Sequence, residues 1–438
     1  MAAGSITTAI KLDDPGQIYY GNEGPVTGNV LLKFRPSLMG GASQEFFGPL
    51  TIRITLHGRA KSKVLRKTTN GTSTYRGRVP LFSKTIKIFD DSAKIAVRET
   101  WPVPFAISFP DGFSFSGDYD NDQRFDGSRD QPLPPSFTNN YSGFSNHYES
   151  FVEYRIGVSV TVPHIPVDAV PTGTDMEPLL HYQQPKPPRA IEPKHYHKTQ
   201  RVNISNEYLL PEEDRPSGFR QKAKAAFSSD FWPHYVFDWH LTAPQHIYLG
   251  QPIAFEMRVH VKEDASTAVV IPEVRLKRFV VKLVENTIVR AEKEFFSNHE
   301  ASHDESIKTL NGIVDDSGPF CKAKDWTKTI NTPAVPAKIT PTFKTINISH
   351  TYAMAIEMSL ALAGEMATCD WALPLVVLPP VWDGTTAAEG SSSSAAAGSS
   401  SQPAVTQQAD EPLPRYEEGL PEYDEAVADR PDPPPKDG

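Results

Sequence analysis

Hydrophobic and polar residues alternate with a period of two over much of the chain. In residues 50–60 every second position up to Leu56 is aliphatic, and the positions between are polar. Residues 26–34 and 151–162 alternate in the same way, and residues 274–286 form the longest strand candidate. Because side chains on a strand point alternately to opposite faces, this pattern predicts strands with one buried face. Gly, Pro and Asn separate these runs, which indicates an all-β chain built as antiparallel β-sandwiches.

The predicted strands fall into two blocks, which predict two sandwich domains. The first block covers residues 1–165, in which a stretch at about 111–150, rich in Asp, Gly and Ser, predicts a long polar loop. Residues 166–230 are rich in Pro and lack periodicity, so we expect a linker or a long inter-strand excursion. The second block covers residues 231–382. Residues 383–438 change to Ala, Ser and Gly and then to acids and Pro, which predicts a disordered acidic tail.

Composition narrows the class of protein. The 438 residues include 40 prolines, which disfavour long helices because proline lacks the amide donor. The net charge of -9 argues against nonspecific binding to nucleic acid. The only cysteines are Cys321 and Cys369, which favours reduced thiols in the cytoplasm. The first residues lack the pattern of a signal peptide and no apolar run is long enough to span a bilayer, so we expect a cytoplasmic protein.

A Leu-Pro-x-Tyr tetrad occurs twice in the tail, seven residues apart, and acids follow each copy. Its defining residues are Leu413, Pro414, Tyr416, Leu420, Pro421 and Tyr423. Proline fixes φ and so lowers the cost of ordering on binding, while tyrosine offers a flat ring and a hydroxyl. Such a peptide fits the aromatic groove of a WW domain, which accepts an extended polyproline-like segment. The alternatives are an inert linker or another ligand.

Six blocks of the chain, taken in order, resemble the arrestin family and specifically its α-arrestin branch. These blocks are a Gly-x-Val-x-Leu opening within residues 18–32, a core strand at 52–60, an aromatic-proline strand at 101–110, and the segments 152–156, 249–253 and 274–276. The resemblance covers roughly residues 6–380. It implies the arrestin fold, in which two tandem immunoglobulin-like β-sandwiches of seven to eight strands precede the tail.

The resemblance also implies a function. Proteins of this branch recruit HECT-type ubiquitin ligases through WW domains, and they select membrane transporters or receptors for ubiquitylation and endocytosis. We therefore expect a cytoplasmic adaptor that is recruited to the plasma membrane or endosomes. The tail departs from the commonest motif because Leu413 and Leu420 replace its first proline. This change should weaken each site, and duplication would compensate through effective concentration. The alternative is an arrestin-fold sorting or signalling scaffold that acts without direct ligase recruitment.

Basic residues are concentrated in residues 53–87, with almost no acids among them. The centre of this stretch holds Lys61, Lys63, Arg66 and Lys67. One interpretation is a solvated face. A second is a docking face for acidic tails of cargo or for anionic lipid headgroups, which would allow peripheral membrane association. A third is a resting place for the protein's own acidic tail.

Catalytic and metal-binding patterns do not occur in the sequence. It contains no phosphate-binding loop, no nucleophile elbow and no His-Glu-x-x-His helix. Asp118, Asp120 and Asp122 begin like a calcium loop, but Gln123 stands where glycine is needed and Arg129 where the bidentate Glu belongs. His195 and His197 lack a further ligand at suitable spacing. We therefore expect no enzyme activity, no cofactor and no metal, while an enzyme on an unfamiliar sandwich is the remaining alternative.

Overall fold

A computed structural model describes the greater part of the first 381 residues. The described residues are 4–21, 23–36, 45–68, 71–97, 99–114, 122–143, 146–162, 167–168, 178–187, 191–216, 218, 232–294, 297–311 and 325–381. They form β-strands and three short 3-10 helices, with no α-helix among them, so the all-β prediction is confirmed. No helix in this part of the chain has the length and apolar character needed to cross a membrane.

The strands of the amino-terminal half form two sheets. These strands are β1 (Gly4–Leu12), β2 (Ile18–Tyr20), β3 (Val26–Pro36), β4 (Glu45–Thr68), β5 (Gly71–Ala96), β6 (Trp101–Ile107), β7 (Gly112–Ser114), β8 (Asp130–Pro132), β9 (Phe137–Ser142), β10 (Asn146–Thr161), β11 (Val167–Asp168) and β12 (Leu179–Gln183). One sheet has the order β11-β1-β3-β6, and the other has β2-β12-β10-β4-β5 with β9 beside β10. The short strands β7 and β8 pair separately.

The two amino-terminal sheets pack face to face around one hydrophobic core. Val30 of β3 and Ile54 of β4 are fully buried in the same cluster, as the alternation in the sequence predicts. Tyr154 of β10 adds a buried ring, and its hydroxyl donates a hydrogen bond to the Pro134 carbonyl at 2.6 Å. We refer to these two sheets as the amino-terminal sheet pair.

The carboxy-terminal half repeats this layout. Its strands are β13 (His195–Ser205), β14 (His234–Pro244), β15 (His246–Tyr248), β16 (Pro252–Val261), β17 (Arg275–Glu294), β18 (Ser297–Asn311), β19 (Asp325–Ala334), β20 (Phe343–Lys344), β21 (Ile348–Leu362) and β22 (Glu365–Leu378). One sheet has the order β13-β14-β16-β19, and the other has β15-β22-β21-β17-β18 with β20 beside β21. A second core cluster lies between them, with Trp239 fully buried within it. These sheets form the carboxy-terminal sheet pair.

The two sheet pairs share part of a core. Phe343, Ile346 and Ile348 follow most of the carboxy-terminal strands in sequence, yet they belong to the amino-terminal core cluster. The ring centroid of Phe343 lies 5.1 Å from that of Phe137 on β9. The chain divides into two compact units, residues 1–387 and 388–438, and the second lies outside the described residues. Both sheet pairs thus belong to one unit.

The structure differs from the sequence prediction in two stretches. Residues 166–230 contain β11, β12 and β13, together with the 3-10 helices η1 (Glu207–Leu209) and η2 (Glu212–Asp214). The carboxy-terminal sheet pair therefore begins at β13, well before residue 231. The predicted loop at about 111–150 contains β7, β8 and β9 and the start of β10. Most of these strands are too short for a period of two to be recognised, and neighbouring strands supply their pairing.

Candidate functional site: a basic sheet face

The two sets of predicted site residues have different outcomes. The tail set lies outside the described residues, namely Leu413, Pro414, Tyr416, Leu420, Pro421 and Tyr423. The basic set, by contrast, lies on the long strand β4. Alternation along this strand places Lys61, Lys63 and Lys67 on the outer face, away from the core. Arg66 points to the opposite face, the one on which Val64 is buried.

Neighbouring strands add further cations to this outer face. Directly paired residues of an antiparallel sheet share a face, and β5 places Arg78 opposite Lys61 and Arg76 opposite Lys63. On the other side of β4, β10 contributes Arg155, which stands opposite His57. We call the resulting surface the basic face. It comprises Arg59, Lys61, Lys63, Lys67, Arg76, Arg78 and Arg155.

Two glutamates of β10 neutralise only part of this charge. Glu153 forms ion pairs with Arg59 and, at 3.3 Å, with Arg155. Glu149 accepts from Lys63 at 3.2 Å, and the His147 ring lies 3.4 Å from the same carboxylate oxygen. Each carboxylate thus serves two nitrogen groups, so the face keeps an excess of positive charge.

The side chains of Arg76 and Arg78 extend this excess into solvent. Both are exposed on β5, and neither has an ion-pair partner among the described residues. Planar guanidinium groups bind carboxylates and phosphates through paired hydrogen bonds. The outer edge of the basic face is therefore open to an anionic ligand.

Lys61 occupies the centre of the basic face. Its ammonium lies 5.4 Å from the ring centroid of Phe151, which β10 places directly opposite. Burial, and then the nearby positive charge of Arg59, lower the pKa of Lys61, while Glu153 opposes the change. Arg78 and Arg155 act in the same direction as Arg59. An anion bound here would relieve this mutual repulsion.

Behind the basic face, a buried polar junction joins β4 to the carboxy-terminal sheet pair. The Ser62 hydroxyl donates to the Arg290 carbonyl at 2.6 Å, and the Asn347 side-chain amide donates to Ser62 Oγ at 3.2 Å. Arg290 is 3% exposed, and its Nε donates to the Ile346 carbonyl at 3.1 Å. Alternation along the sequence does not predict this junction. Its signal was a serine on the apolar face of β4 and a single arginine in an apolar stretch of β17.

Other candidate chemistry has little support in the described part of the chain. No group of three or more His, Cys, Asp or Glu side chains there is placed to hold a metal. His195 and His197 lie on the exposed side of β13 rather than in a linker. Burial, with a smaller effect from Asp370, raises the pKa of the Cys369 thiol to about 12, so this residue is not a thiolate nucleophile near neutral pH. Cys321 lies outside the described residues.

Neither protein-family models nor curated proteins give a match to this chain. Function is therefore inferred from the chain's own residues.

Proposed function

We propose that the protein is an adaptor of the arrestin type. It recruits a WW-domain HECT-type ubiquitin ligase to transporters or receptors of the plasma membrane and so promotes their ubiquitylation and endocytosis. The observation that carries this proposal is the tandem Leu-Pro-x-Tyr tetrad of the tail. The adaptor catalyses no reaction itself, and it works in the cytoplasm with recruitment to the plasma membrane or endosomes.

The sheet topology supports an arrestin-type arrangement of two tandem immunoglobulin-like sandwiches. Each half of the described chain pairs a four-stranded sheet with a six-stranded sheet around its own core cluster. The strand orders of the two halves also correspond, because each larger sheet carries a short extra strand beside a long one. A repeated two-sheet architecture is what the resemblance implies.

The basic face supports the cargo-selecting part of the proposal. Arg76 and Arg78 are exposed and lack ion-pair partners among the described residues, whereas Arg59 and Arg155 pair with Glu153 and Lys63 pairs with Glu149. An acidic cytosolic segment of a membrane protein would supply the missing negative charge. Cargo recognition and ligase recruitment would then use different parts of the chain.

Ligase recruitment is tested by the binding of purified tandem WW domains to the full-length chain. We expect Tyr416→Ala together with Tyr423→Ala to weaken binding by at least about a hundredfold, because both ring contacts and the gain from two linked sites are lost. Arg415→Ala changes the variable position of the first tetrad and serves as the matched control. Equal affinity of the double variant and the wild type, measured by calorimetry, contradicts the proposal.

Cargo docking is tested by charge reversal on the basic face. We expect Arg76→Glu with Arg78→Glu to abolish cargo turnover in cells while WW-domain binding stays unchanged, since both side chains are exposed and remote in sequence from the tail. Arg66→Glu reverses a charge on the opposite face of β4 and is the control. Unchanged turnover in the double variant excludes the basic face as the docking site.

A second function is favoured by one specific feature of the tail. Leucine replaces the first proline in both tetrads, which weakens contact with a WW groove. An arrestin-fold sorting or signalling scaffold would need no ligase contact at all. The WW-domain measurement separates the two functions, since the scaffold predicts no difference between the tyrosine variants and the wild type.

A further inference from the structure

A run of exposed aliphatic side chains lies between β16 and β17. Val269, Val270 and Ile271 are 68%, 36% and 55% exposed. Tyr208 of η1, at 49%, belongs to the same region because the Val270 amide donates to the Leu209 carbonyl at 3.1 Å. We call this group the apolar tip, defined by Tyr208, Val269, Val270 and Ile271. Single exposed aliphatics are common on protein surfaces, but several exposed apolar side chains in one region often mark an interaction site.

The backbone holds the apolar tip in place. The amides of Thr267 and Ala268 both donate to the His234 carbonyl, at 2.8 and 3.0 Å. Pro272, which follows the aliphatic run, is buried. The side chains are thus displayed from a fixed segment, which lowers the ordering cost when a partner binds.

A small pocket adjoins the apolar tip. Its volume is about 160 Å³, which suits one aliphatic side chain. The lining residues are Tyr235, Val261, Glu263, Ser266, Ala268 and Ile271. Ile271 therefore belongs both to the exposed run and to the pocket wall, so one ligand can contact both. Glu263 also lines the pocket, and the exposed Asp264 follows it in the chain.

Acidic residues lie on both chain segments that carry the apolar tip. The helix η3 (Glu263–Ala265) contributes Glu263 and Asp264, and η2, shortly after Tyr208, consists of three acids. The nearby cations Arg201 and Lys262 are bound by Asp238 at 2.9 and 3.1 Å. Arg215 lies against the Tyr208 ring, 5.3 Å from its centroid. The rim therefore favours a positively charged ligand, the opposite of the basic face.

We propose that the apolar tip and its acidic rim form a docking site for a short segment of another protein, one that carries an aliphatic side chain flanked by lysine or arginine. The aliphatic side chain enters the pocket, and its neighbours cover Val269 and Ile271. The flanking cations face the exposed carboxylate of Asp264. An anionic membrane surface is disfavoured as the occupant because the acidic rim repels it. The site is independent of the tail tetrads and of the basic face.

The proposal is tested with the full-length chain and a fluorescent hexapeptide, Lys-Arg-Leu-Leu-Lys-Arg. We expect a Kd of about 10–100 μM by fluorescence anisotropy, as is common for short peptide motifs. Val269→Asp with Ile271→Asp should raise this Kd at least about tenfold, because a charge then replaces the apolar contact. Val376→Asp, at another exposed valine on β22, is the matched control and should leave the Kd unchanged. Matching thermal melts of all variants show that folding is retained.

The charge requirement is tested separately. Asp264→Lys should weaken binding of the basic peptide several-fold, whereas Asp91→Lys on β5 should leave it unchanged. The acidic peptide Glu-Asp-Leu-Leu-Glu-Asp should bind at least about tenfold more weakly than the basic peptide. Three results overturn the proposal. They are no binding of the basic peptide at about 1 mM, equal binding of both peptides, and retained binding of the basic peptide by the double aspartate variant.

Two further results assign the apolar tip to another occupant and so also overturn the proposal. One is binding to phosphatidylserine-containing vesicles that depends on Val269 and Ile271 while the peptide does not bind. The other is peptide binding that appears only when Arg220, Lys222 and Lys224 are changed to serine, since the chain's own basic segment would then be the occupant.

Discussion

Buried polar side chains, rather than exposed ones, determine how β17 and β21 fit against the amino-terminal sheet pair. Arg290 is almost fully buried and uses its Nε–H on a backbone carbonyl, with the Phe125 ring centroid 4.2 Å from its guanidinium carbon. His350 is 1% exposed, and its Nε2 lies 2.9 Å from the Tyr352 hydroxyl. Since that hydroxyl donates to the Thr340 carbonyl, it accepts from Nε2–H, and Nδ1 of the ring lies 3.2 Å from the Thr287 hydroxyl oxygen.

This environment makes His350 a source of acid sensitivity. Burial lowers the pKa of His350 to about 3 from its ordinary 6.5, even though Glu285 lies 3.5 Å from Nδ1. The unfolded chain therefore binds the proton more readily, and protonation of His350 favours unfolding. The stability that comes from keeping this ring neutral in the folded protein is complete above pH 6.5 and is lost as the pH falls towards 3. We expect the free energy of unfolding to fall by about 2 kcal/mol between pH 7.5 and pH 5 because of this residue.

Urea unfolding of the wild type and of His350→Gln at several pH values measures this loss. The variant should lack the part of the pH dependence that comes from His350, whereas His197→Gln, at an exposed histidine of β13, should keep it. If the free energy of unfolding of the wild type and of His350→Gln changes with pH in parallel, a buried neutral histidine is excluded as the cause.

At the scale of the strands, the hairpin of β4 and β5 connects the basic face to the buried junction. The outer faces of these strands carry the cations, and their inner faces continue past the amino-terminal core to Ser62 and Gly77, which pair directly. On this inner side they meet β17 at Arg290. The position of the cations therefore depends on how closely the hairpin can approach β17.

Gly77 permits that close approach. A Cβ added at this position would lie 2.5 Å from Ser62 Oγ and 2.8 Å from the Arg290 carbonyl oxygen. Alanine normally stabilises a strand relative to glycine, but here we expect Gly77→Ala to destabilise the protein by about 1–3 kcal/mol, because the hairpin and β17 must move apart. Denaturant unfolding measures the change. Gly218→Ala, with no atom within 4 Å of its added Cβ, is the control, and equal stability of the two variants contradicts the expected clash.

For the molecule as a whole, charge is separated over the surface while the sheet pairs are joined inside. The net charge is -9, yet the basic face carries excess positive charge and the rim of the apolar tip is acidic. The two sheet pairs can thus bind two ligands of opposite charge. Inside, the rings of Phe137 and Phe343 meet where the two cores join.

A shared core predicts cooperative unfolding of the two sheet pairs. We expect a single calorimetric transition, since neither pair keeps its full core when the other unfolds. Phe343→Ala should lower the stability by about 3–5 kcal/mol and begin to split this transition, because it removes a buried ring from the join. Phe47→Ala, at a phenylalanine that is 74% exposed, is the matched control. Two separate transitions in the wild type would show that the shared residues do not couple the pairs.

The local pattern of residues was sufficient to predict the long alternating strands and their buried faces, but not the strands within residues 111–150 and 166–230. Strands β3, β4, β10 and β17 cover the segments whose alternation or apolar content predicts them. Residues of alternating strands carry this information locally, since each side chain's face follows from its position in the strand. The WW-binding role of Tyr416 and Tyr423 also comes from the sequence alone and stays a prediction.

Only the tertiary structure decided which cations form one face and how the two halves meet. The register of β5 and β10 against β4 brings Arg78 and Arg155 to Lys61. The contact between Ser62 and Arg290 is likewise set by the tertiary structure, since these residues are 228 positions apart. Pairings across such separations follow from packing both sheet pairs together, which depends on the whole chain, so no periodicity within one strand encodes them.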